Sequence, residues 1–267
     1  MSSLITGSPT LKSPRFEIGA RLTGQVKPVA ELPGRERDEM YALLADYFDN
    51  TTRRQFERDL AEKEWAILLC DVTTGAVQGF STLMCLNLTI DGAPAAVFFS
   101  GDTIIRREYW GETALPRLWG RHVFSLAEEF RRTRVYWFLI CSGYKTYRYL
   151  PLFFREFYPS CERPTPAPIK QTLDQIGRFK FGDEFDAERG VIRFRRASPL
   201  QSGVAEITPQ RLKDPHVAFF VQANPGHTHG DELACLAELS RGNLTPAGAR
   251  MVGPLEEMEE KIRSRRK

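Results

Sequence analysis

Residues 106–117 gather groups able to hold an anion. A strand-like run at 95–107 feeds a short loop, 108–112, and then a long amphipathic stretch. The first turn of a helix has N–H groups without intrahelical partners and carries partial positive charge, which suits a phosphate or pyrophosphate. Gly111 lets the backbone approach such a ligand closely, and Arg106, Arg107 and Arg117 add positive charge. A second cluster lies at 224–232 (NPGHTHGDE). In an extended segment His227 and His229 point to one side, with Asp231 close behind, and two imidazoles with a carboxylate form a metal set. The segment offers no third distant ligand. It also reads as a substrate-binding loop, or as a surface loop in which Asp231 starts the next helix. The sequence has no Gly-x-Ser-x-Gly elbow, Walker loop or zinc-type Cys/His spacing, which argues against serine hydrolases, nucleotide hydrolases and zinc fingers.

The elements that must position these groups follow from periodicity. A strand at 21–29 precedes a helix whose face is Met40, Leu43, Leu44, Tyr47 and Phe48. Thr52 restarts a helix with Phe56 and Leu60 inward. Strands at 65–71 and 77–88 flank the turn Thr73-Thr74-Gly75, and Asp91-Gly92 turns into the strand 95–107. Gly101 and Asp102 stand in the middle of that strand, where a glycine marks a bulge or a close approach. Leu115, Leu118, Trp119, His122, Val123, Leu126, Ala127 and Phe130 then form one continuous helical face, with Thr113 as N-cap and Pro116 in the first turn. His122, on that face, reads as a core histidine. Residues 135–141 (VYWFLIC) are a strand buried on both sides. Residues 144–158 read as an aromatic-rich helix bent at Pro151, and Tyr144, Tyr147, Tyr149, Phe153 and Phe154 could line an apolar pocket. Beyond the proline-rich stretch 161–168, the expected elements are a helix at 169–178, strands at 179–196 and 217–222, a helix at 231–239 and a charged terminal helix at 255–267. Helices lie between sheet strands, so the class is mixed α/β.

The 267 residues are 42% hydrophobic and 27% charged, with net charge +3, which is enough for a substantial core and too balanced for a nucleic-acid stripe. The basic run 261–267 reads as a solvated helix end or an electrostatic contact. Five cysteines without CxxC spacing, most of them in apolar runs, read as core residues of a reducing compartment. Residues 1–10 lack a secretory pattern and no run reaches about 18 apolar residues. The expectation is a cytoplasmic protein with a loose arm at 1–15, a core at 16–160 and an extension at 161–267 that completes the sheet or caps the site.

Over roughly residues 20–160 the chain resembles the GNAT (Gcn5-related) N-acyltransferases, in which a bulged strand leads through a Gln/Arg-x-x-Gly-x-Gly/Ala loop into a helix. The resemblance implies a mostly antiparallel central sheet with a V-shaped splay between two central strands. It implies acetyl-CoA or a longer acyl-CoA as co-substrate, contacting Ile104, Ile105, Arg106, Gly111, Glu112, Thr113 and Ala114. It also implies direct attack by an amine on the thioester, with Asp102 as candidate base and Tyr147, ahead of Tyr144, as proton donor to the thiolate. The loop departs from the pattern: Glu108 stands at the leading Gln/Arg position and Thr113 at the second small one. That departure supports a second reading, a non-catalytic binding protein of the same fold. A metal-dependent enzyme built on His227, His229 and Asp231 is the third. The amine acceptor, small molecule or peptide, is left open, as is a homodimer.

Overall fold

A computed structural model describes residues 15–18, 21–130 and 133–254 of the chain, without the side chains of 15–18. The expected arm at 1–15, apart from Arg15 at the start of a strand, the basic run and the terminal helix lie outside the described residues.

The first half alternates as the sequence pattern implies. Strands β1 (Arg15–Ile18) and β2 (Leu22–Pro28) lead to helices α1 (Gly34–Ala45) and α2 (Arg53–Ala61). Thr52 caps α2 by accepting the Gln55 N–H at 3.2 Å. Next come β3 (Trp65–Asp71), β4 (Val77–Ile90) and β5 (Ala93–Ile105), with Asp91 and Gly92 at positive φ in the β4–β5 turn. Helix α3 (Ala114–Ala127) buries Leu115, Leu118, Trp119, Val123 and Phe124, and β6 (Arg134–Cys141) follows. Thr113 occupies the N-cap position of α3, but its side chain makes no capping hydrogen bond.

The second half departs further from expectation. Residues 144–158 form two short helices, α4 (Tyr144–Tyr147) and α5 (Tyr149–Phe153), and a short strand, β7 (Phe157–Tyr158). The break falls at Arg148, and Pro151 sits inside α5. Helix α6 (Ala167–Phe181) runs through the start of the expected 179–196 strand, which shrinks to β8 (Phe185–Asp186) and β9 (Val191–Ile192). The run at 217–222 is helical, in α7 (Pro215–Ala223): Asp214 caps it through the His216 N–H, Pro215 presets the first turn, and Val217 and Phe220 share the buried face. The stretch 231–239 is a strand, β10 (Glu232–Glu238), whose central five residues are all buried. Leucine and alanine favour helix, but burial on both faces within a sheet overrides that preference. Helix α8 (Pro246–Val252) closes the described chain.

The strands form one sheet in the order β1-β2-β3-β4-β5-β6-β10-β9-β8, with β7 beside β10. All pairs are antiparallel except β5 and β6, which the α3 crossover makes parallel. One face of the sheet packs on α3, α4, α5, α7 and α8. The other is covered by α1 and α2 over β3 and β4, and by α6 over β5, β6 and β10. Residues beyond the proline-rich stretch therefore extend the sheet, because β10 pairs directly with β6. Among the described residues, no helix is long and apolar enough to cross a membrane.

Candidate active site

The centre of the sheet opens where β5 and β6 part. They pair only from Ala95↔Arg134 to Ser100↔Leu139, while β5 runs on to Ile105 beside β4. The departure coincides with a β-bulge. Ser81 faces Thr103 and Leu83 faces Ser100, so Gly101 and Asp102 together oppose Thr82. A Cβ on Gly101 would stand 2.4 Å from Thr82 Oγ1 and 2.8 Å from Lys63 Cε, so any side chain there would displace one or both. Just before the gap, Ser100 Oγ accepts both the Trp119 and Trp137 indole N–H groups, at 3.0 and 2.9 Å. These two hydrogen bonds pin α3 and β6 to the last paired residue of β5.

Beyond Ser100 no strand among the described residues pairs with the β6-facing edge of β5. The Arg106 N–H donates to the Gln78 carbonyl on β4, and strand alternation then turns the peptide groups of Thr103 and Ile105 into the gap. The Trp110 indole N–H donates to the Ile105 carbonyl there at 2.8 Å. The loop after β5 brings Gly111 (φ 97°) and Thr113 to the start of α3. The N–H groups of Gly111, Thr113 and Ala114 have no protein acceptor among the described residues.

A cavity of about 930 Å³ fills the gap and passes from one face of the sheet to the other. On the α3 side it is lined by Trp110–Thr113, Pro116, Lys145, Tyr149 and Phe153. Lys145 Nζ donates to the Val204 carbonyl at 2.6 Å and lies 3.2 Å from the Trp110 ring centroid. Burial, with Arg211 and Arg107 nearby, lowers its pKa to about 8. On the α2–α6 side the lining includes Asp59, Glu62, Lys63, Lys180, Phe181 and Phe194. Asp102 and Glu232 stand at the passage, enclosed by protein yet reaching the cavity. Burial raises the Asp102 pKa; Lys63 works against that and Asp59 with it. Burial, reinforced by the Asp102 charge and opposed by a hydrogen bond from Ser142, takes Glu232 up to about 8. Burial thus holds both carboxyl groups toward their protonated forms, which suits proton exchange with a ligand in the cavity.

The structure gathers some of the residues singled out from the sequence and not others. Asp102, Ile104, Ile105, Gly111, Glu112 and Thr113 line the cavity. The Ala114 side chain is fully buried, leaving only its N–H for a ligand. The Arg106 guanidinium turns away to within 3.9 Å of Asp46 and lines a separate cavity of about 390 Å³ with Arg21 and Glu39. Arg117 is exposed and outside the lining. Tyr147 is also outside it: its hydroxyl donates to the Pro159 carbonyl at 3.0 Å, and its ring packs among Phe157, Phe219 and Phe220. Tyr144 is likewise buried. Of the tyrosines at 144–149, Tyr149, one helix further on, is the one that reaches the cavity, with burial raising its pKa; Tyr47 lines it from just beyond the end of α1.

The histidine segment is not extended. His227–His229 form a 3-10 turn, the His227 Nδ1 meets the Asn224 carbonyl at 2.9 Å, and its ring packs on Phe220. Asp231 faces Arg193 at 3.5 Å and precedes a strand rather than capping a helix. Among the described residues no three His, Cys, Asp or Glu side chains come together as a metal site. Sequence reasoning missed Glu232, Lys63 and Lys145, and it placed Tyr149 only in a pocket lining, where the structure has it with Phe153. The first was hidden by reading β10 as a helix.

No family model and no curated protein matches the sequence. Solved structures that align with the chain are GNAT acetyltransferases and proteins described in similar terms. An Enterococcus faecalis protein described as a probable N-acyltransferase is 16% identical over 50% of this chain, with TM-score 0.37. The match spans only 33% of that protein's own length. An Escherichia coli GNAT family N-acetyltransferase solved with CoA is 15% identical, covering 54% of this chain and 71% of its own, with TM-score 0.34. A Kribbella flavida GCN5-related N-acetyltransferase is 12% identical over 73% of this chain and 49% of its own, with TM-score 0.36.

Proposed function

We propose that the chain is an acyl-CoA-dependent N-acyltransferase that moves an acetyl or longer acyl group to an amine by direct attack. The observation that carries this is the bulge-initiated parting of β5 from β6. It leaves a free strand edge, a helix start with open N–H groups and an enclosed carboxylate pair around one cavity. The free edge at Thr103 and Ile105 suits the amides of a pantetheine arm as an added strand suits a sheet. The N–H groups of Gly111, Thr113 and Ala114 suit the pyrophosphate. Lys145 and Arg107, both beside Trp110, supply positive charge at this end of the cavity.

In this reading the Asp102–Glu232 pair takes one proton from the acceptor's ammonium. The freed nitrogen forms the C–N bond as the C–S bond breaks. Tyr149 gives its proton to the departing sulfur and is reprotonated by the second proton of the amine. Tyr149 holds this role in place of Tyr147 because its ring lines the cavity. The test is release of free thiol from acetyl-CoA and longer acyl-CoA in the presence of an amine panel. Amine-dependent thiol release, with mass spectrometry of the acylated amine, is the expected result. No release with any thioester, alongside no CoA binding, would overturn the reading.

A further inference from the structure

The α2–α6 half of the cavity holds a feature that acyl transfer alone does not require. Lys63 lies directly on the bulge: its Cε and Nζ are 2.8 and 3.6 Å from the place a Gly101 Cβ would take. The ammonium donates to the Asp59 carbonyl at 3.0 Å and lies 5.5 Å from the Phe99 ring centroid. Neighbouring Lys180 is paired with Glu62 at 2.5 Å, whereas Lys63 has no carboxylate at salt-bridge distance among the described residues. Asp102, Glu62 and Asp59 attract it only from further off, and burial and Lys180 push its pKa down. An enclosed cation without a paired anion is costly to keep. Lys63 therefore faces the cavity with an unmet demand for negative charge. Asp102 and Glu232, at the passage, are held toward their neutral forms by burial and would ionise beside a bound cation. Beside them Phe181 and Phe194 meet edge to face at 5.8 Å and form an apolar wall.

Building on the acyltransferase reading, we infer that the acceptor is a free amino acid with a large apolar side chain. Its carboxylate pairs with Lys63, its amine lies against Asp102 and Glu232, and its side chain rests on Phe181 and Phe194. One molecule then satisfies both signs of charge and the apolar wall. A plain amine would leave Lys63 unpaired, and a cation-rich peptide would add to the positive charge there.

The test separates binding from transfer. The full chain is titrated calorimetrically, without acyl-CoA, with phenylalanine and with phenethylamine, which lacks only the carboxylate. A charge-assisted bond is worth roughly tenfold to a hundredfold in affinity, so phenylalanine should bind tighter by about that factor. Lys63→Met should erase the ratio, and Lys63→Arg, which keeps the charge, should retain most of it. Circular dichroism of each variant confirms that the fold is kept. Failure of phenylalanine to bind, equal binding of the two ligands, or an unchanged ratio in Lys63→Met would overturn the inference. Acetyl-CoA is then added and N-acetylphenylalanine is sought by mass spectrometry. Binding with the expected ratio but no product would count against the acyltransferase reading alone. Transfer that favours phenethylamine would count against the acceptor class alone.

Discussion

Replacing Glu232 by glutamine should make the protein more stable and less active, and the gain in stability should depend on pH. Glu232 titrates near 8 in the folded chain, against an ordinary 4.5. A folded pKa raised above the unfolded one means that the folded state holds its proton while the unfolded state has released it. Stability from this group is therefore intact below about pH 4.5 and falls as pH rises toward 8. Each pH unit in that window costs about 1.4 kcal/mol, so at pH 7 the wild type has given up about 3 kcal/mol. Glutamine keeps the shape and cannot ionise. Glu232→Gln should thus equal the wild type near pH 4 and exceed it by about 3 kcal/mol at pH 7, with a further gain toward pH 8. Urea unfolding at pH 4, 5.5, 7 and 8 measures the difference directly. The same substitution should lower kcat/KM by roughly 10² to 10⁴, the usual share of a general base. A stability difference flat across pH, or one favouring the wild type at pH 7, would refute the assignment of an enclosed, proton-holding Glu232.

Other outcomes follow from the same geometry. Gly101→Ala puts a Cβ 2.4 Å from Thr82 Oγ1; thermal melting should show a loss of about 1 to 3 kcal/mol, with a raised KM for acyl-CoA. Ser100→Ala strips two buried indole N–H groups of their shared acceptor. Denaturant titration should show a loss of about 2 to 5 kcal/mol, with tryptophan emission shifted to the red. Tyr149→Phe keeps the parallel stack on Phe153 at 5.7 Å, so stability should change by about 0.5 kcal/mol or less while kcat falls roughly 10- to 100-fold.

The sequence reveals the scaffold of the site better than its chemistry. The α3 face, with apolar residues at every helical return, and the Gly101-Asp102 pair inside an apolar strand are local signals, and both survive in the folded chain. The run ELACLAE at Glu232–Glu238 misleads because its residues favour helix, while its state is decided by pairing with β6. That pairing sets Leu233 beside Cys141 and brings Glu232 to Ser142 and Asp102. No spacing rule announces contacts between residues so far apart in the chain. Tyr147 and Tyr149 show the same limit on a smaller scale. Both are tyrosines in an aromatic stretch, and only the break at Arg148 decides which one faces the cavity. Lys63 looks like an ordinary surface lysine after a charged helix until β5 bulges against it.

The central claim is that the gap between β5 and β6 receives a CoA thioester. Amide hydrogen exchange of the full chain, with and without saturating CoA, tests it most directly. The account predicts new protection at Thr103 and Ile105 on the free strand edge and at Gly111, Thr113 and Ala114 at the start of α3, with little change in β1 to β3. Unchanged exchange at those five amides, or protection confined to another surface, would contradict it.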